Sequence, residues 1–181
     1  LHQLLFGLIE IGFNLLDPVL MKSLNLPVDG GCQCGSCTYT LSAAPFVAYA
    51  CHCIECQKLT SSAFLSCLHA PSEAVQISRG SPHTRERTAD SGSTLTTWFC
   101  ASCGSTLFAK NSSRPRVLTI HVGSLESRRE VPITAHIWTK RKVKWVTLPN
   151  DHRVFEENGD WTEDYAQDPS RYRTDLQDKA T

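Results

Sequence analysis

Residues 51–58 read CHCIECQK and place three cysteines, Cys51, Cys53 and Cys56, within six positions. Thiols so closely spaced suit metal chelation. Zinc normally takes four ligands, and a structural site closes all four whereas a catalytic one keeps a position open. The cluster is therefore one ligand short, and the source of the fourth decides its role. His52 lies between two of the thiols. In an extended chain its side chain points away from Cys51 and Cys53, so it reads as a neighbour of the site rather than as the missing ligand. Three thiolates on Zn²⁺ leave a net negative centre with weakened Lewis acidity. Such a centre suits thiol exchange better than water activation, since an incoming thiol would bind as thiolate.

Two further motifs, GGCQCG at 30–35 and FCASCGS at 99–105, each end in Cys-Gly. In a zinc knuckle the chain turns tightly around the metal, and the residue after the last ligand often needs a positive φ, which glycine adopts without a Cβ penalty. Two knuckles supply four thiolates, enough for a closed structural zinc on Cys32, Cys34, Cys100 and Cys103. A rival pairing uses Cys34 and Cys37, also C-x-x-C, with Cys100 and Cys103. The first pairing is preferred because it puts glycine after the second ligand of both knuckles. Cys37 and Cys67 then remain unassigned. Both begin or interrupt apolar β-like runs and read as packed core thiols.

The elements that must position these residues are short. After Pro27 the sequence offers β-like runs at 37–41, 46–51, 63–69, 74–78, 94–99, 105–109 and 117–122, separated by Gly, Pro, Ser and Asp. Their spacing predicts a mainly antiparallel β domain rather than βαβ units. A helical turn is expected at 54–59, just after the cysteine cluster. The polar stretch 81–93 (SPHTRERTADSGS) reads as a surface loop. Residues 1–26 form an apolar segment whose polar positions Gln3, Gly7, Glu10, Asn14 and Asp17 recur at steps of three and four. That pattern predicts a helix docked on the domain or on a second copy of the chain, which would make a homo-oligomer. The competing reading is upstream sequence. The polar interruptions leave no membrane span, and no basic region precedes the segment as in a signal peptide. The domain proper is placed at 27–157, followed by an acidic tail at 158–181.

Composition narrows the function. The 181 residues carry 18 basic and 18 acidic side chains, so there is no general pull toward nucleic acid. From Asp151 onward nine acidic residues face four basic ones, which further disfavours a nucleic-acid-binding tail. Nine cysteines is an odd number, and their C-x-C and C-x-x-C spacings suit metal rather than disulfides. A reducing compartment, the cytoplasm, is expected. His69, His121 and His136 lie in β-like runs and read as hydrogen-bonded structural histidines, with His136 and Trp138 as candidate pocket neighbours. The run Lys140-Arg141-Lys142-Val143-Lys144-Trp145 reads as a solvated face, with holding a ligand carboxylate as the lesser alternative.

The segments GGCQCGSCTY, ACHCIECQKLTSSAF, FCASCGSTLF and HIWTKRKVKWVTLP together resemble the glutathione-dependent formaldehyde-activating enzyme family, also called the centromere protein V family. The resemblance spans roughly 30–157. It implies a β-tent fold of small antiparallel sheets around zinc, with two Zn²⁺ per chain. One would be structural, on Cys32, Cys34, Cys100 and Cys103. The other would be catalytic, on Cys51, Cys53 and Cys56, with an open position. The implied activity is addition of glutathione to formaldehyde, a carbon–sulfur lyase reaction giving S-hydroxymethylglutathione. Two positions depart from the family: an aliphatic residue is usual at Cys37, and a glycine often stands where this chain has Ser61-Ser62. These changes leave room for a same-fold enzyme acting on another small substrate without glutathione. A non-catalytic zinc-binding interaction module is the third reading, and a fourth protein ligand at the second cluster would favour it.

Overall fold

The computed structural model describes residues 24–159. The expected N-terminal helix, any homo-oligomer formed through it, and all but the first two residues of the acidic tail lie outside the described residues. The described chain is mainly β, with one short α-helix. A three-stranded antiparallel sheet has the order β1 (Val28–Gly31), β2 (Thr38–Leu41), β5 (Val75–Arg79). An eight-stranded sheet has the order β11 (Arg153–Val154), β10 (Ala135–Ile137), β3 (Val47–Cys51), β4 (Leu65–Pro71), β9 (Val117–His121), β8 (Thr106–Asn111), β7 (Thr94–Phe99), β6 (His83–Thr88). The helix α1 (Ile54–Thr60) follows β3.

The sheets are mainly antiparallel, as expected, but not throughout: β10 runs parallel to both β3 and β11. The chain reaches β10 only after a long excursion from β9, so it joins the free edge of β3 in the same direction. The polar stretch 81–93 is also not wholly a loop, because His83–Thr88 pairs with β7 along its full length. Every residue of that strand is exposed, so no apolar alternation announces it. As an edge strand it takes its register from the β7 ladder rather than from burial.

The large sheet is apolar on both faces, and its period-2 alternation divides the core. On one face Ala48, Leu68, Ala70, Leu118 and Ile120 pack with Tyr39 and Leu41 of the small sheet. On the other, Val47, Tyr49, Cys51 and Cys67 pack with Val117, Ala135 and Ile137. Strand β3 is buried at all five positions, as a central strand covered on both sides must be. Each fully buried Leu or Ile side chain contributes roughly 1.5–3 kcal/mol. The two cysteine groups fall to different faces: Cys32 and Cys100 belong to the first apolar cluster, Cys51 to the second.

Candidate functional site

The thiols of Cys32, Cys34, Cys100 and Cys103 all lie within 4.8 Å of one another. Cys32 Sγ is 3.6 Å from Cys34 Sγ, which is 3.7 Å from Cys100 Sγ. Four sulfurs placed tetrahedrally around zinc at about 2.3 Å stand roughly 3.7–3.8 Å apart, so this donor set fits that metal. Both knuckle glycines have the left-handed backbone, with φ of +73° at Gly35 and +74° at Gly104. Their N–H groups close the turns onto Cys32 O (3.0 Å) and Cys100 O (2.8 Å). Ser105 ties the knuckles together, since its hydroxyl accepts from Gln33 N at 3.1 Å and lies 3.2 Å from Cys103 Sγ. That serine hydrogen bond, with backbone N–H groups beside it, pushes the Cys103 thiol down to about 5. Cys37 is not among the four mutually close thiols. Its N–H donates to Cys32 Sγ at 3.2 Å, and its own thiol is buried and pushed up to about 11, chiefly by burial.

The second group forms locally. Strand β3 ends at Cys51, and His52 N continues the pairing by donating to Ile137 O at 3.0 Å. Cys53 is then the N-cap of α1, a role usually filled by an oxygen side chain; its sulfur accepts the Cys56 N–H at 3.4 Å. No residue of α1 is buried, so polar ties hold the helix in place. Gln57 Nε2 donates to His52 O at 2.7 Å and to Arg141 O at 2.9 Å. The helix ends at Ser61, which takes a left-handed backbone (φ 50°) that favours glycine.

The sulfurs of Cys51, Cys53 and Cys56 lie within 4.8 Å of one another, and among the described residues no fourth His, Cys, Asp or Glu completes the set. Crowding divides their protons. Hydrogen bonds from Cys51 and Cys56 stabilise a thiolate on Cys53 and push it down to about 2. Cys51 is pushed up to about 12, first by its hydrogen bond to Cys53. Cys56 is raised by hydrogen bonds to Cys51 and Cys53 and by burial. One thiolate forms readily while the second and third are opposed by the first. A divalent cation at the centre would cancel that opposition, so this donor set also fits a metal.

This group opens on a cavity of about 410 Å³, within the range of small-molecule sites. Tyr49, Cys67, Leu65 and Ile137 line it beside the cysteines, with Leu59 of α1 and Trp138. Tyr49 Oη is engaged with His69 Nε2 at 2.7 Å. Cys67, expected as a core thiol, is buried and also lines the cavity, with its thiol pushed up by burial. Trp138 has a left-handed backbone (φ 59°), which costs on the order of 1–3 kcal/mol. Its N–H donates to Glu157 O at 2.8 Å, and its indole Nε1 donates to Asn158 Oδ1 at 3.0 Å.

The histidines separate. His121 lines the cavity, with Nδ1 2.9 Å from Thr106 Oγ1, and burial pushes it down to about 4, aided by the charge of Arg85. His52 is buried and does not line the cavity. Its Nε2 lies 3.0 Å from His136 Nδ1, and His136 Nε2 lies 3.0 Å from His152 Nδ1. Of the two candidate pocket neighbours, Trp138 is one and His136 is not. The basic run stays outside the cavity lining. Lys140 is ion-paired with Glu157 and stands over the Trp138 ring at 5.1 Å, and Lys142 Nζ donates to Val146 O at 2.6 Å. The cations on the cavity wall are instead Arg85, Arg87, Arg114 and Lys58. The sequence reading missed the three arginines. Two sit in the exposed edge strand β6 and one in the β8–β9 turn, and nothing in their local pattern distinguishes them from solvated surface.

No curated protein matches the chain. A crystal structure of a Rhodobacter sphaeroides protein is similar at 18% identity and a TM-score of 0.44, covering 70% of this chain and 98% of that one. The family model described as glutathione-dependent formaldehyde-activating enzyme matches residues 27–141. That span covers more than half of the sequence and contains all seven cysteines of the two groups, and the chain belongs to this family.

Proposed function

We propose that the protein is a zinc-dependent carbon–sulfur lyase of the S-hydroxymethylglutathione synthase type, joining the thiol of glutathione to formaldehyde. The observation that carries this reading is a set of three converging thiols with no fourth protein ligand among the described residues, opening on a cavity. Family membership supports glutathione and formaldehyde as the substrates. Cys51, Cys53 and Cys56 would hold one zinc, and Cys32, Cys34, Cys100 and Cys103 the other. A zinc ion on the first three would lower the pKa of an incoming thiol and so raise its thiolate fraction.

The chain's own residues do the rest. Leu59, Leu65, Ile137 and Trp138 give the cysteine end apolar walls that limit water. Holding thiol and carbonyl side by side converts a bimolecular encounter into an intramolecular one. In the reaction a new S–C bond forms to the carbonyl carbon and the C=O π bond becomes an O–H bond. The proton lost by the thiol is balanced by the one gained at oxygen. The nine cysteines are all free, which supports a reducing, cytoplasmic setting. NMR with ¹³C-formaldehyde and glutathione tests the proposal. Adduct formation should be faster with the zinc-loaded protein than without it, and equal rates would contradict it.

A further inference from the structure

The register of the large sheet carries one face from the cysteines to a set of cations. Tyr49 and Cys51 of β3 lie opposite Cys67 and Leu65 of β4, and Cys67 lies opposite His121 of β9. Thr119 of β9 lies opposite Ala109 of β8, which lies opposite Thr97 of β7, and Thr97 and Leu95 lie opposite Arg85 and Arg87 of β6. All of these residues line the same cavity. Arg114, in the turn between β8 and β9, joins them, and its charge reaches Tyr49 and His69.

The charge on this wall is not balanced among the described residues. The lining holds four basic residues, Lys58, Arg85, Arg87 and Arg114, and two acidic ones, Glu55 and Glu86. Glu55 is ion-paired with Lys58 at 3.0 Å, and Glu86 Oε1 accepts from Thr96 Oγ1 at 3.0 Å. None of the three arginines forms an ion pair among the described residues. Among the described residues, Arg114 Nη1 is buried with no hydrogen-bond partner. A buried guanidinium N–H left unmatched is costly and calls for an explanation. The planar fork of arginine matches a carboxylate.

We infer that the cavity is bipartite, with Arg114, supported by Arg85 and Arg87, binding a carboxylate of the thiol substrate whose sulfur sits at Cys51, Cys53 and Cys56. This rests on the function proposed above and names its specificity residues. It moves carboxylate recognition from the basic run 140–144, which does not line the cavity, to residues far apart in sequence. Arg114, half-buried, supplies the contact from the cavity wall and the β6 pair supplies the field along the exposed edge strand. A thiol without carboxylates would leave Arg114 unmatched and be disfavoured.

Calorimetric titration of the zinc-loaded full chain tests this with glutathione, its diethyl ester, in which both carboxylates are masked, and S-methylglutathione, which lacks a free thiol. Glutathione should bind about 10-fold or more tightly than the ester, the size expected for a charge-assisted hydrogen bond. Arg114→Gln should reduce that preference to about 2-fold while leaving ester affinity unchanged, and Arg114→Lys should restore part of it. Arg85→Gln/Arg87→Gln, at exposed positions that do not threaten folding, should narrow the preference by about 3-fold. Equal affinity of the wild type for glutathione and ester overturns the inference. So does an Arg114→Gln that weakens both equally, or no binding of any probe. If S-methylglutathione binds as tightly as glutathione and remains Arg114-dependent, the carboxylate end stands and thiol capture at the cysteines fails.

Discussion

The two cysteine groups occupy opposite faces of one sheet and are built in opposite ways. The four-thiol group joins knuckles nearly seventy positions apart, which gather two thiols each, and its members Cys32 and Cys100 are part of the apolar cluster between the sheets. The three-thiol group comes from six consecutive positions at a strand end and a helix cap, and it faces a cavity. A metal in the first would act as a long-range cross-link whose loss opens the fold. A metal in the second would cross-link almost nothing, because its ligands are already local. Where a metal adds little stability, an open position can serve chemistry. The difference is thus one of loop length and ligand count, with the same side chain in both.

Substitution separates the two most sharply at Cys100, which is 1% exposed. Cys100→Ser should abolish cooperative thermal unfolding, since a structural zinc supplies an apparent ~10–16 kcal/mol against a typical domain stability of about 5–15 kcal/mol. Circular dichroism melts check this; a melt near the wild-type temperature would break the comparison from the structural side. At the other group, Cys53→Ser should keep a cooperative melt within a few degrees of wild type while lowering adduct formation by about 100-fold or more, the scale of losing metal assistance. Collapse of both fold and activity in that variant would make the two groups alike.

The cavity face also carries an acid-sensitive group. Burial holds His121 neutral, with its pKa lowered from 6.5 to about 4. As pH falls below 6.5 the unfolded chain takes up a proton that the folded chain refuses, so stability drops until about pH 4 and then levels. The contribution is up to about 3 kcal/mol. Urea melts of wild type and His121→Asn across this window check it: the variant should show a shallower fall, and parallel curves would contradict the assignment. The smallest effect is expected at Cys37. Cys37→Val should leave zinc content unchanged and cost less than about 1.5 kcal/mol, as a near-isosteric core exchange does. Loss of a zinc in that variant would instead bring Cys37 into the metal set.

How much of this was legible follows from where the determinants lie. The knuckles could be read because Cys-x-Cys-Gly and Cys-x-x-Cys-Gly encode a turn and its ligands locally, and Gly35 and Gly104 do carry the positive φ this requires. Strands such as β7 and β9 announced themselves through β-branched and aromatic runs. Strand β6 did not, because HTRERT is exposed at every position and is held only by pairing to β7. The parallel joining of β10 to β3 is a long-range choice with no local mark. The same holds for the cavity arginines. Arg85 reaches the cavity wall only through its register with β7, and Arg114 only through the placement of the β8–β9 turn. Local chemistry was visible, and the cavity beside it was not.

The central claim, two separate metal centres of unequal structural weight, is tested most directly by zinc content per folded chain. Native mass spectrometry of the wild type and Cys56→Ser should show two zinc ions falling to one, with the remaining ion and the fold retained. Two ions in the variant, or none, would contradict the account.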